Sequence, residues 1–153
     1  MLISNMRVLG LIAAVLLFAT GCGNKKNTSE TSMSEDKEQT AGHALVIDQS
    51  GAFDKGDAYQ IKSAAIEQDS LVLTITHGGG CKDHEYTLYT NGALMKSLPP
   101  KMNLLLHHNG NEDYCRALIQ KRLAFDLSAI KELSSGTIIL QIADYPTPLE
   151  YTY

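Results

Sequence analysis

From about Ala41 onward the chain consists of short apolar runs, each closed by turn-forming residues, and this grammar leaves little room for anything but strands. Leu71, Leu73 and Ile75 alternate with Val72, Thr74 and Thr76, the period-two pattern of a strand with one face on a core. Strands are predicted over His43–Asp48, Ala58–Gln68, Ser70–His77, Glu85–Tyr89, Lys101–His107, Arg116–Asp126, Thr137–Ile142 and Leu149–Tyr153. Gln68, Asp69 and Ser70 mark a hairpin turn between the second and third of these. Asn91-Gly92, the preferred pair of a tight type I′ turn, predicts another hairpin returning through Ala93–Met95. Pro99 and Pro100 break the chain before the next strand. Only Ser128–Leu133 reads as helical, about one and a half turns, with Ser128 as its cap and Gly136 near its stop. Seven to nine short strands predict an all-β fold, an antiparallel β-sandwich of immunoglobulin-like size.

The chain starts differently. Arg7 precedes Val8–Thr20, an apolar stretch without charge. Its length of roughly 20 Å as a helix is short of a ~30 Å hydrocarbon core, and a short apolar run after a basic start is the pattern of a signal peptide. The stretch closes on Phe18, Ala19, Thr20, Gly21 and Cys22, with small residues that let an extended backbone enter a peptidase and a thiol that can accept a diacylglyceryl group. This resembles the lipobox of bacterial lipoproteins, with Ala19 where Leu is usual. Translation can start at Met1 or Met6 without altering the mature chain. The expected organisation is a signal peptide over 1–21, a lipidated Cys22 and flexible linker over 22–40, and a sandwich over 41–153. The polar linker has too little apolar surface to offset its chain entropy, and its reach is about 20–25 Å. Several acyl chains on Cys22 would anchor the protein firmly, and the absence of Asp after Cys22 (Gly23 follows it) favours the outer over the inner membrane.

Cleavage at Cys22 leaves about 130 residues, at most one domain. The net charge of −4 and pI near 5.7 argue against a nucleic-acid partner, which would require a basic face. With Cys22 lipidated, Cys81 and Cys115 remain, and in an oxidising compartment such a pair is most simply a disulfide.

The most distinctive local stretch runs from Thr76 to His84 through Gly78, Gly79, Gly80 and Cys81. Three successive glycines permit positive φ, a bulge that aims Cys81 at Cys115, or close approach of a ligand. They are not a phosphate loop, since no Gly-Lys-Ser/Thr follows. His77 to Glu85, then Leu104–His108, Asp113–Cys115 and Leu123–Ser128, resemble a pattern in small lipoproteins of Bacteroidetes-type bacteria, in particular the C-terminal β-sandwich of NigD-like proteins. The resemblance spans about residues 57–143, and Gly-Gly-Cys-x-x-His is its most specific element. It implies a β-sandwich on a lipid anchor and supplies no activity. Those relatives usually carry a further N-terminal OB-like domain, for which the mature chain is too short.

Four of the five histidines fall beside the two cysteines: His77 and His84 around Cys81, His107 and His108 ahead of Cys115. Cys81, His84, His107 and Cys115 form a Cys₂His₂ set suited to zinc if the thiols are reduced. If they are bridged, His77, His84, His107, His108, Asp83, Glu112 and Asp113 could still bind Zn²⁺ or Cu²⁺ through imidazole and carboxylate, with His84, Asp113 and His107 the favoured ligands and His77 and His108 ranked behind them as farther along their strands. His107 and His108 point to opposite faces of a strand, so one of them is excluded. Against this stands the plainer reading of loop and packed histidines with no cofactor. No nucleophile elbow is present, and Asp83, Glu85, Glu112 and Asp113 read as solvated charge; no catalytic residue is assigned. Tyr145, Tyr151 and Tyr153 alternate with polar residues, as on a partner-binding face or in ordinary edge packing. The sequence therefore predicts a lipid-anchored, non-catalytic binding or accessory module of the cell envelope. Its contacts would be the membrane, through its lipid, and an envelope protein or glycan. The alternative is a periplasmic metal-binding lipoprotein.

Overall fold

The structure is a computed structural model that describes residues 43–134 and 136–153. The predicted signal peptide, Cys22 and the linker over 22–40 lie outside the described residues. Eight strands follow one another: β1 His43–Ile47, β2 Tyr59–Glu67, β3 Ser70–Gly79, β4 Glu85–Thr90, β5 Lys101–Asn109, β6 Ala117–Asp126, β7 Thr137–Ile142 and β8 Leu149–Thr152. They pair in the order β2-β3-β6-β1-β4-β5-β7-β8. The terminal strands β2 and β8 come back into contact, so the sheet rolls almost into a barrel with its apolar face inside. The all-β sandwich read from the sequence is thus the observed fold.

Its pairing is mixed where an antiparallel arrangement was predicted. β1 runs parallel to both β4 and β6, and β5 runs parallel to β7; the other four pairings are antiparallel. Local turn signals specify hairpins, whereas a parallel pair needs a long crossover and leaves no local trace. The β2–β3 hairpin forms as predicted, with Glu67 opposite Ser70 and Gln68 at φ 56°. The predicted Asn91-Gly92 hairpin does not form. A type I′ turn needs positive φ at both central residues, and of the two only Gly92 has it. Instead the Thr90 hydroxyl accepts the Gly92 N–H and the Asn91 side chain accepts the Ala93 N–H, which leads the chain away to a return on β5. Met95 keeps a single bridge to Lys101.

The predicted helix is a short 3₁₀ segment, Ser128–Glu132, and Ser128 is not its cap. Its backbone N–H and hydroxyl both donate to the Asp126 carboxylate, each at 2.9 Å. Leu127 and Ile130 are fully buried and plug this end of the core. Asp69, in the β2–β3 turn, secures the plug: its carbonyl accepts the Leu127 N–H, and its carboxylate meets the Tyr151 hydroxyl and Lys131.

Leu88 on β4 is fully buried at the centre of the roll, whereas Leu118 is 79% exposed where β6 runs past the core. Leu88→Ala is expected to cost about 2–5 kcal/mol in urea unfolding, and Leu118→Ala no more than about 0.5 kcal/mol. Equal costs would mean that β6 or β4 has been placed in the wrong register.

Candidate functional site

Three inward-facing rows of side chains end in histidine. On β3 the row Leu71, Leu73, Ile75 continues to His77; on β5 the row Met102, Leu104, Leu106 continues to His108; ahead of β4, His84 continues the row of Leu88 and Tyr86 backwards. β3 belongs to one half of the rolled sheet, β4 and β5 to the other, so the rings meet across the interior. Ring centroids lie 4.5 Å apart for His77–His84, 4.7 Å for His77–His108 and 5.0 Å for His84–His108. His77 is 5% exposed and His108 2%.

With neutral rings, the hydrogen-bond partners assign the proton positions. His77 Nδ1–H donates to the Gly78 carbonyl at 2.8 Å, which leaves Nε2 to accept the Tyr86 hydroxyl at 2.6 Å. His84 Nε2–H points at Asp113 Oδ2, 3.2 Å away, so Nδ1 carries the lone pair and faces His108 Nε2 at 2.8 Å. A single proton, carried by His108, then lies between those two nitrogens. The other nitrogen, His108 Nδ1, is buried without a hydrogen-bond partner among the described residues. Tyr86 stacks flat on His108 at 5.1 Å.

Asp113 organises the loops around this cluster. Its Oδ2 accepts the backbone N–H groups of Gly80, Cys81 and Lys82 at 2.7, 2.8 and 3.0 Å, and its Oδ1 accepts that of Cys115 at 2.9 Å. Successive N–H groups converging on one carboxylate form an anion nest, and such charge-assisted bonds are stronger than neutral ones. The Cys115 N–H foremost, then those of Cys81 and Lys82 with His84, hold this carboxyl well below the usual carboxylate range against the opposing effect of burial. Gly79, at φ 133°, makes room for it: a Cβ there would lie 2.6 Å from the His84 ring and 3.0 Å from Asp113 Oδ2. Cys81 and Cys115 are bonded to each other with Cα atoms 6.0 Å apart. The Cys₂His₂ set is therefore closed to metal. Beside this cap lies a cleft of about 680 Å³, lined by Asp57, Gly78, His108, Gly110, Asp113 and Tyr114 among others.

Of the predicted ligands, His84 and Asp113 are together and His107 is not. His107 lies on the opposite face of β5, with Nδ1 on the Asp54 carbonyl at 3.0 Å and its ring edge towards Tyr89. His77 and His108, ranked behind these as farther along their strands, complete the cluster. Continuing each period-two row by one step would have found them. Separation in sequence from the cysteines was the wrong measure, because the two halves of the sheet face each other.

The geometry is that of a rolled β-sandwich whose one end is polar, disulfide-linked and built on buried imidazoles. The family model of the NigD-like C-terminal beta sandwich domain matches residues 46–147, and the chain belongs to that family. Among solved structures, a NigD-like immunity protein from Bacteroides caccae is similar over 74% of this chain and 60% of its own, at 17% identity and a TM-score of 0.52. A protein of unknown function from Bacteroides vulgatus is similar over 73% of this chain and 56% of its own, at 16% identity and a TM-score of 0.48. The chain thus spans less than two thirds of either structure's length, and the likeness to the immunity protein is one of fold. No curated protein matches it.

Burial holds the protonation of His77 and His108 below the ordinary histidine range. Below about pH 6.5 the unfolded chain then takes up protons that the folded chain refuses, so this contribution to stability is complete above that pH and declines as pH falls through it. Asp113 has the usual carboxylate sign: its contribution is present above about pH 4 and lost below. In chelator, urea unfolding of the wild type should weaken between pH 7 and 5, and the gap between wild type and Asp113→Asn should stay open there and close only below about pH 4. A flat profile from pH 7 to 5 would contradict the buried-imidazole geometry.

Proposed function

We propose that the protein is a lipid-anchored accessory module of the cell envelope that binds an envelope protein or glycan and catalyses no reaction. The observation that carries this reading is the lipobox-like run closing on Cys22, set ahead of a domain of the NigD-like sandwich family. A thioether-linked lipid at Cys22 would tether the sandwich to the membrane, with the outer membrane favoured by Gly23. The binding face is the disulfide-linked end, where the cleft opens beside Tyr114, 85% exposed, and Leu118 projects from β6. Exposed aromatic and aliphatic groups at the rim of a polar cleft suit protein or carbohydrate contacts.

The anchor and the face are tested separately. Wild type should incorporate labelled palmitate and fractionate with membranes, and Cys22→Ser should remain an unprocessed precursor without label, because only the thiol accepts the lipid. Label on the serine variant would remove the anchor. In-envelope cross-linking of the wild type should yield a discrete adduct that Tyr114→Glu combined with Leu118→Glu reduces at least fivefold. An undiminished adduct would move the binding face elsewhere.

A further inference from the structure

We propose that His77, His84 and His108 form a binding site for one Zn²⁺ or Cu²⁺ ion. The site does not rest on the anchor, and it lies at the same disulfide-linked end as the proposed partner face. Each of the three histidines can place a ring nitrogen within 4.8 Å of a nitrogen from each of the others. A tetrahedral ion with nitrogen ligands at about 2.0–2.1 Å holds them about 3.3 Å apart, so rotations of the three rings would bring the donors into range. Imidazole donors favour these late divalent metals over Mg²⁺ or Ca²⁺.

Two features distinguish the cluster from ordinary packed histidines. The first is how its ring nitrogens are supported. His77 and His84 each donate the far N–H to an oxygen, the Gly78 carbonyl and the Asp113 carboxylate, and so present a lone pair at the other nitrogen. A ligating histidine backed by a carboxylate or a backbone carbonyl is the usual outer-shell pattern of a metal site. The second is unsatisfied polarity. His108 Nδ1 is buried without a partner among the described residues, while its Nε2 and His84 Nδ1 share one proton across 2.8 Å. An ion in the cluster replaces the proton between them, with His108 Nε2 as the third donor and its proton moved to Nδ1. The Tyr86 hydroxyl, now bonded to His77 Nε2 at 2.6 Å, would give up that bond on binding.

The test uses the full chain, extracted in detergent and carrying no histidine tag. Wild type should bind one equivalent of Zn²⁺ by calorimetry and melt at a higher temperature with it. His108→Gln and His77→Gln should each weaken binding at least tenfold, while His107→Gln, one residue along β5 but on the other face, should change it less than twofold. Zinc-edge X-ray absorption of the wild type should show scattering from three imidazoles, a readout that does not depend on any variant folding. Absence of stoichiometric binding, a spectrum with one imidazole or none, unchanged affinity in folded His108→Gln, or an equal loss in His107→Gln would each overturn the site.

Discussion

The carboxylate of Asp113 is the interaction on which the polar end of the molecule depends. Four backbone N–H groups from two loops converge on it, and its side chain is only 1% exposed. Those donors sit in irregular segments outside the strand ladders, so no strand partner is there to receive them. One carboxylate answers four such demands and also orients His84. Without it the loop carrying Cys81 and the loop carrying Cys115 would be joined only by the disulfide and by the hydrogen bonds of Asn111 with Lys82 and Asp83.

The disulfide and the glycines serve that arrangement in different ways. Linking Cys81 to Cys115, 34 residues apart, removes loop-closure freedom from the unfolded chain, worth about 4 kcal/mol by the usual logarithmic dependence on loop length. That keeps Asp113 within reach of the Gly80–Lys82 backbone. Gly79 acts on the folded state, because the space a Cβ would fill is taken by the His84 ring and Asp113 Oδ2. The run of glycines, read from sequence as a bulge serving the cysteine, serves the carboxylate and the imidazole as well.

The strands were legible in the sequence because period-two alternation is a local consequence of burying one face of a strand. Ser70–Gly79 and Lys101–Asn109 show it clearly, and both were placed within two residues. The parallel partners of β1 were not legible, since nothing near His43–Ile47 encodes which distant strands flank it. The turn at Asn91-Gly92 misled because the Asn91 side chain captured the Ala93 N–H that the hairpin would have used, and Thr90 took the Gly92 N–H beside it. The cluster was half legible. His84 and Asp113 follow from the cysteine spacing, whereas His77 and His108 follow only when the core rows are extended one step past their last apolar residue.

The two ends of the core show that this polarity is not imposed by the fold. Near Asp69 the roll is closed by Leu127 and Ile130, both fully buried, with the carboxylate left at the surface to hold Lys131 and Tyr151. At the other end of β3 the same task falls to three imidazoles and a tyrosine whose hydroxyl, pushed by burial to about 12, stays protonated. Aliphatic residues at positions 77 and 108 would continue their rows, avoid an unpaired ring nitrogen and need no proton between facing nitrogens. Buried polar groups cost stability unless every member of the network is satisfied, and here one is not. A chain that closes one end of its core with leucine and isoleucine, and the other with an incompletely satisfied set of nitrogen donors, gives up stability at that second end. The simplest physical return for that loss is a bound cation that uses the donors.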